Sequence, residues 1–292
     1  MPAGDFSFGA IGTAWKISLP GIGLAHAESV ICAVRERIES FEQAYSRFRP
    51  DSFVGKMREK AGTYELPADA APMLALYRAL YGLTGGKMTP LIGRVLEDAG
   101  YDGAYSLVPQ ERIAPARKWD EVMEYDPPFL VAKEPISLDF GAVGKGYAVD
   151  IAAEAVRSQG IGEYTVNAGG DIAHRGPAEV PLRVGLEDPD DPAKAVGMAE
   201  ITAGSICGSA GNRRAWGRFT HIIDPDSVAS PRHIKALWVT AETAMVADAL
   251  STALFFVKPA ALTGHFAFEW AIYRSDGSAE TSPSFPGEFF GG

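Results

Sequence analysis

The feature that most constrains the fold is a glycine-rich stretch between residues 136 and 171. Residues 136–140 have the alternation of a strand, and a loop with several glycines follows at residues 141–146. Residues 147–159 then have a helical pattern, and residues 164–168 are strand-like again. The stretch is therefore predicted to form a β-loop-α-β unit.

The other predicted elements mix helices and strands without strict alternation. Helical patterns cover residues 24–45, 70–84 and 243–257, and strand patterns cover residues 10–19, 234–240 and 266–272. Asp69 is a plausible N-cap for the second helix, and Gly85-Gly86 provide its stop. This order favours an α+β fold, with a mixed or antiparallel sheet core flanked by helices, over a doubly wound α/β fold. We expect residues 1–292 to form a single domain, with two intimate subdomains as the alternative.

The charge balance excludes some partners. The chain has 27 basic and 37 acidic residues, a net charge of −10, which makes it a poor binder of nucleic acid. An acidic chain that binds a phosphate compound needs a metal or backbone N–H groups to do so.

No apolar run has the length of a membrane span, and Cys32 and Cys207 make no disulfide framework. Cys32 lies in a helical pattern and is expected in the core.

The first six residues contain neither the basic nor the apolar segment of an export signal. We therefore expect a cytoplasmic protein, or a periplasmic one if a signal has been removed.

Several common sites are excluded by the residues themselves. Lys145 is followed by Gly146 instead of Ser or Thr, so the glycine-rich loop is not a Walker A motif. Val149 excludes the dinucleotide-binding fingerprint. The five histidines are too dispersed for a zinc signature.

Asp248 and Thr252 lie four residues apart on an apolar helical pattern, so they share one face of the helix. A carboxylate in such a helix is costly unless it is paired or binds a cation. Two oxygen ligands at this spacing suit Mg²⁺. The alternative is structural: Asp248 caps a neighbouring loop, and Thr252 bonds back to its own helix.

Three further elements have both a functional and a structural interpretation. The loop at residues 141–146 leads into a helix N-terminus and suits an anion, to which Lys145 adds a charge, or it is a plain turn. His221 precedes a turn and is a potential general base or a structural histidine. Asn167 with Gly169 and Gly170 permits close approach of a ligand or makes an ordinary turn.

In their order, these elements resemble the FAD:protein FMN transferases, also called ApbE-like proteins. The matching stretches are residues 11–15, 46–52, 85–86, 138–150, 166–171, 209–211, 221–225 and 247–253. Each stretch alone is weak, and their ordered co-occurrence from about residue 10 to residue 257 carries the resemblance. Two positions depart from the family pattern: Thr89 stands where Asp is usual, and Asn212 stands where an acidic residue is usual.

The resemblance implies an ApbE-like fold and an enzyme that uses Mg²⁺ and FAD. Such enzymes attach FMN through a phosphoester bond to a Thr or Ser hydroxyl of a target flavoprotein and release AMP. Some members hydrolyse FAD to FMN and AMP instead, and a third alternative is a flavin-binding protein without catalysis. The implied partners are therefore FAD and an acceptor flavoprotein.

The resemblance also implies roles for individual residues. The main-chain carbonyl of Ala142 and the side chains of Asp248 and Thr252 would ligate the metal. His221 would be the base for the acceptor hydroxyl, and Asp248 would share in catalysis. The residues implied to contact FAD are Ile11, Lys87, Met88, Thr89, Asp139, Lys145, Asn167, Gly169 and Gly170.

Overall fold

The computed structural model describes residues 4–212 and 214–291. The α-helices in these ranges are α1 (Leu24–Tyr45), α2 (Ala70–Leu83), α3 (Gly93–Asp98), α4 (Trp119–Val122), α5 (Gly144–Ser158) and α6 (Ala244–Ala253). Short 3-10 helices cover Val54–Arg58, Pro90–Ile92 and Pro259–Ala261. The strands are β1 (Asp5–Ala10), β2 (Thr13–Ser18), β3 (Gly62–Glu65), β4 (Met123–Asp126), β5 (Phe129–Ala132), β6 (Tyr164–Ala168), β7 (Asp171–Arg175), β8 (Leu182–Glu187), β9 (Ala195–Ile201), β10 (Ala203–Ala210), β11 (Ala215–Trp216), β12 (Phe219–Thr220), β13 (Ile234–Ala241), β14 (Phe268–Arg274), β15 (Ala279–Thr281) and β16 (Gly287–Phe289).

An eight-stranded sheet forms the centre of the fold, in the order β1-β2-β6-β7-β10-β13-β14-β15. Three smaller sheets accompany it: β11-β12, β16-β9-β8 and β3-β5-β4. Every strand pairing in the described part of the chain is antiparallel. Of the two sheet types that the sequence left open, the structure has the antiparallel one.

Apolar clusters hold three layers together. Helices α5 and α6 pack on strands of the central sheet and on each other, and α1 packs on α5. On the opposite side, apolar residues of the central sheet such as Ile206 and Trp238 cluster with Leu186 and Ile201 of the β16-β9-β8 sheet. Burying apolar faces on both sides of the sheet contributes most of the free energy that stabilises such an arrangement.

Helices α5 and α6 touch through their backbones at Gly146. A Cβ atom at this position would lie 2.2 Å from the carbonyl oxygen of Ala244 and 2.6 Å from the Cβ of Asp248. The backbone N–H of Gly146 also donates to Oδ2 of Asp248 at 2.8 Å. Glycine at this position therefore allows the first turn of α5 to approach the Asp248 carboxylate.

The predicted β-loop-α-β unit is wrong in its first strand. Residues 136–140 form no strand, because two of their backbone N–H groups donate to 3-10 helices instead of a neighbouring strand. The N–H of Ile136 donates to the carbonyl of Met57, and the N–H of Asp139 donates to the carbonyl of Pro90. The helix begins at Gly144, so part of the glycine-rich loop forms its first turn.

The remaining predicted helices form, but α6 ends at Ala253 instead of residue 257. Two predictions about single residues are wrong. Helices α1 and α2 lie where the periodicity predicts them. The Asp69 side chain does not cap α2; its carboxylate accepts a hydrogen bond from Arg37 at 2.6 Å. Cys32 is exposed on α1 instead of buried, whereas Cys207 is buried. Strand β1 was not predicted.

Among the described residues, no helix combines the length and the apolar character needed to cross a bilayer. The expectation about export concerns residues 1–6, and residues 1–3 lie outside the described part of the chain. The expectation of a single domain stays a prediction.

Candidate functional site

Two neighbouring cavities open beside the N-terminus of α5. The main cavity has a volume of about 210 Å³ and the adjoining cavity about 240 Å³. Each alone is smaller than the ~300–1,000 Å³ typical of ligand sites, and only the two together reach that range. The predicted site residues that line the main cavity are Lys87, Met88, Thr89, Asp139, Ala142, Lys145, Gly169, His221, Asp248 and Thr252.

Asp248 and Thr252 are on the wall that α6 contributes. Asp248 is 4% exposed, and its Oδ2 is bonded to the Gly146 N–H. The Thr252 hydroxyl makes no hydrogen bond to any residue that the structure describes, so the predicted alternative of a bond back to the helix is not what the structure has. The Thr252 hydroxyl lies one helical turn after the buried Asp248 carboxylate, so oxygen atoms of both side chains face the cavity and could ligate a metal.

The donor set fits a hard cation. The described residues contain no group of three or more His, Cys, Asp or Glu side chains that could hold a metal. A metal here would therefore bind one carboxylate, from Asp248, with the neutral oxygens of Thr252 and Ala142. Mg²⁺ is bound in this way when waters and substrate phosphates complete its shell.

Lys145 is held by acidic residues on both sides. Its ammonium group forms an ion pair with Asp171, which is 1% exposed, and lies 3.8 Å from Oδ1 of Asp248. Lys145 lines both cavities. Asp171 is the last residue of the matching stretch at residues 166–171, and its pairing with Lys145 was not predicted. Only the antiparallel pairing of β6 and β7 brings Asp171 to the start of α5.

The turn between β6 and β7 has both structural and cavity-facing residues. Oδ1 of Asn167 accepts the N–H of Gly170 at 2.9 Å, and neither residue lines either of the two cavities. Gly169 lines the main cavity with φ +64°, and a Cβ there would lie 2.1 Å from Oγ1 of Thr13. Asn167 thus shapes the turn that presents Gly169.

His221 follows strand β12 and lines the main cavity. Its side chain is partly buried, and the buried Nδ1 atom has no hydrogen-bond partner among the described residues. Burial, together with the positive charge of Arg214, lowers the pKa of His221 to about 4. The imidazole is therefore neutral at physiological pH and able to accept a proton.

The segment at residues 87–89 closes another side. The Lys87 ammonium binds Asp224 at 2.8 Å and Asp226 at 2.9 Å, which ties this segment to the turn after His221. Met88 is 1% exposed and packs in the core. Oγ1 of Thr89 accepts the N–H of Leu91 at 3.2 Å. Thr89 thus caps the start of the 3-10 helix at Pro90–Ile92.

The adjoining cavity has aromatic walls. Phe48 and Tyr105 stack there with ring centroids 5.3 Å apart, and Ile11 is at its rim with φ +49°. Arg47 is 4% exposed and forms an ion pair with Asp139. Planar surfaces of this kind suit a flat heteroaromatic ring.

Sequence reasoning did not identify Arg47 and Phe48 as site residues. They belong to the matching stretch at residues 46–52, which was the only signal for them. It also missed Arg214 and Tyr101, for which the sequence offered no signal.

The comparisons with known proteins agree with these observations. Residues 11–267 match the profile of the ApbE family. The chain is 26% identical over 269 residues to the FAD:protein FMN transferase of Klebsiella pneumoniae, covering 85% of this chain and 77% of that protein. It is 25% identical over 269 residues to the enzyme of the same name from Escherichia coli K12, with the same coverage.

Solved structures confirm the fold. The ApbE protein of Thermotoga maritima superposes with a TM-score of 0.83 at 24% identity, covering 97% of this chain and 99% of that one. The flavin transferase ApbE of Vibrio cholerae superposes with a TM-score of 0.80 at 22% identity, covering 96% and 97%. The predicted α+β, ApbE-like architecture is thereby confirmed.

Proposed function

Because the chain belongs to the ApbE family, we propose that it transfers FMN from FAD to a Thr or Ser hydroxyl of a target flavoprotein. The observation that carries the proposal is that Asp248, Thr252, Lys145 and His221 line one cavity. These residues come from distant parts of the chain and supply the oxygen donors, positive charge and base that phosphoryl transfer needs. The relatives named as FAD:protein FMN transferases support the same reaction.

The reaction needs one proton acceptor and one leaving group. The oxygen of the acceptor hydroxyl attacks the phosphorus of the FMN half of FAD, and a new P–O ester bond forms. The phosphoanhydride bond breaks, and its electrons leave with AMP. His221 accepts the hydroxyl proton and passes it to solvent. The lowered pKa of His221 keeps it unprotonated, and therefore ready for this step, at neutral pH.

A magnesium ion held by Asp248, Thr252 and the carbonyl of Ala142 would neutralise charge on the pyrophosphate. The burial of Asp248 and the free hydroxyl of Thr252 support this assignment. Lys145, already bound to Asp171, holds its positive charge at the junction of the two cavities. The protein's own contribution is to position the phosphates between this charge and the base.

The shape of the site suits a dinucleotide. The adjoining cavity offers aromatic faces and the rim residue Ile11 to one ring, and the main cavity accommodates the phosphates. Asp139 and Lys145 line both cavities, so they are placed to contact FAD where its two halves join. We therefore assign the flavin ring to the adjoining cavity.

Intact-protein mass spectrometry tests the function. The chain is mixed with FAD, MgCl₂ and a flavoprotein encoded beside it, and Asp248→Asn serves as the matched inactive control. We expect the acceptor to gain the mass of one FMN residue with the wild type only, and AMP to appear in equal amount. If free FMN and AMP form while the acceptor stays unmodified, the protein is an FAD pyrophosphatase instead of a transferase. If FAD stays intact, the protein binds flavin without catalysing a reaction.

The proposal sets a requirement on the acceptor, and the compartment stays the one predicted from the sequence. An acceptor must present Thr or Ser on a segment that reaches the main cavity. We retain the cytoplasm as the predicted compartment, and cell fractionation tests it: recovery in the periplasmic fraction would contradict it.

A further inference from the structure

Arg214 is a positive charge at the place where the two cavities meet, and it has no acidic partner among the residues that the structure describes. It lines both cavities. Its Nη1 donates to the hydroxyl of Tyr101 at 2.6 Å, and no carboxylate in the described part of the chain lies within ion-pair distance of it. The guanidinium has five N–H donors, and this one bond leaves most of them free.

The other positive side chains that line the two cavities are already paired with carboxylates. Their carboxylate partners are Asp171 and Asp248 for Lys145, Asp224 and Asp226 for Lys87, Asp139 for Arg47, and Glu39 and Asp51 for Arg49. A pyrophosphate entering this acidic site would meet carboxylates beside each of these cations. Arg214 differs from them because no carboxylate of the described residues is paired with it.

The β11-β12 hairpin fixes Arg214 beside the proposed base. The backbone N–H of His221 donates to the carbonyl of Arg214 at 3.0 Å, directly after the last ladder pair of the hairpin. Residues opposite each other in an antiparallel pair present their side chains on the same face, and both residues line the main cavity. The indole N–H of Trp216 donates to the carbonyl of Ala99 at 2.7 Å and anchors the hairpin.

We propose that Arg214 binds the pyrophosphate of the dinucleotide at the junction of the two cavities. The inference rests on the proposed function, and it adds a residue that selects diphosphate-linked flavins over flavins without a diphosphate. A guanidinium suits this task because its planar donors can bond two phosphate oxygens at once. The Tyr101 hydroxyl orients the guanidinium without neutralising it.

Calorimetric titration in excess MgCl₂ tests the proposal with FAD, ADP and riboflavin as ligands. The variants are Arg214→Gln and Arg214→Lys. Arg218→Gln is the control, because Arg218 lies on the same hairpin over the Phe219 ring and lines neither cavity. We expect Arg214→Gln to weaken FAD and ADP binding by about tenfold or more, the usual effect of one charge-assisted bond. Lys should restore part of the loss, riboflavin affinity should not change, and the control should match the wild type.

Two results would overturn the proposal. One is unchanged FAD and ADP affinity in Arg214→Gln. The other is a parallel loss of riboflavin affinity and melting temperature, which would make Arg214 a structural residue. Failure of the proposed function is a separate result. If the wild type labels no acceptor but Arg214→Gln still weakens FAD and ADP binding, this inference holds and the transferase function does not. If the wild type labels the acceptor and Arg214→Gln binds FAD and ADP as tightly as the wild type, the transferase function holds and this inference does not.

Discussion

The ammonium group of Lys145 forms an ion pair with Asp171, a carboxylate that is 1% exposed. Lys145 therefore has two tasks, because it must neutralise a buried acid as well as present charge to a substrate. A variant that removes the lysine affects both tasks. Its effect on FAD affinity can therefore be interpreted only when its effect on the stability of the fold is measured as well.

We predict that Lys145→Ala destabilises the fold by about 3–5 kcal/mol, because it leaves Asp171 buried without a partner. The double variant Lys145→Met with Asp171→Asn should recover most of the melting temperature but not FAD affinity. Thermal melts and FAD titrations on both variants measure the two effects. Full recovery of FAD affinity in the double variant would remove Lys145 from the set of FAD contacts.

Thr252 offers a matched pair of variants for the metal site. Thr252→Val keeps the shape and removes the hydroxyl, whereas Thr252→Ser keeps the hydroxyl. We expect the Val variant to need much more Mg²⁺ for half-maximal transfer and the Ser variant to stay close to the wild type. The measurement is the rate as a function of Mg²⁺ concentration. Equal Mg²⁺ dependence in both variants would place the metal elsewhere.

Asp248→Asn should abolish Mg²⁺-dependent transfer while leaving the protein folded. The amide oxygen can still accept the Gly146 N–H, but the anionic ligand is lost. Circular dichroism and calorimetric Mg²⁺ titration separate folding from metal binding. A variant that retains wild-type turnover would contradict the assignment of Asp248 to the metal.

His221→Ala should lower the transfer rate by about 10²–10⁴ and leave FAD affinity nearly unchanged. A histidine with the ordinary pKa of ~6.5 would lose its activity as a base on acidification near that pH. Since burial and Arg214 lower the pKa of His221 to about 4, we now expect the wild-type rate to hold down to about pH 5 and fall through pH 4. A rate that already halves near pH 6.5 would contradict a buried neutral base.

The same pKa predicts how stability depends on pH. Between pH 6.5 and pH 4 the unfolded chain binds a proton at His221 and the folded chain does not, so the free energy of unfolding falls as the pH drops through this window. The loss amounts to about 2 kcal/mol at pH 5 relative to pH 7. Urea unfolding of the wild type and of His221→Gln at both pH values measures it. The prediction fails if the two proteins lose equal stability on acidification.

Asp150 caps helix α6 and thereby positions Asp248. Its two carboxylate oxygens accept the N–H groups of Ala244 and Met245, each at 2.8 Å, while burial raises its pKa to about 6. We expect Asp150→Ala to cost about 0.5–2 kcal/mol of stability, as lost helix caps do, and Asp150→Asn to cost less. Urea unfolding compares them, and an Ala variant as stable as the wild type would contradict the capping role.

Much of the site was accessible from the sequence because short motifs carry it. The resemblance to the family implied Asp248, Thr252, Lys145 and His221 as site residues, whereas spacing alone left structural alternatives open, and the structure brings all four to one cavity. The helices α1 and α2 were predicted with nearly their observed bounds because a single apolar stripe determines each.

The remainder depended on tertiary contacts that no local pattern encodes. Residues 136–140 have the alternation of a strand, yet their hydrogen bonds go to the carbonyls of Met57 and Pro90, which are distant in sequence. Arg214 looks like any exposed arginine until the hairpin places it beside His221. The partnership of Lys145 with Asp171 likewise exists only once β7 lies beside the start of α5.

The backbone contact at Gly146 has a consequence for mutational scanning. With 2.2 Å between a would-be Cβ and the carbonyl oxygen of Ala244, every substitution at this position would push α5 away from α6. A saturation library selected for activity should therefore return glycine alone, with the same intolerance as at Asp248. Yet no substituent at position 146 needs to touch a substrate. When the substitutions tolerated at each position of this enzyme are mapped, an invariant Gly146 indicates the close spacing of α5 and α6. Gly146 should therefore not be counted as a ligand contact.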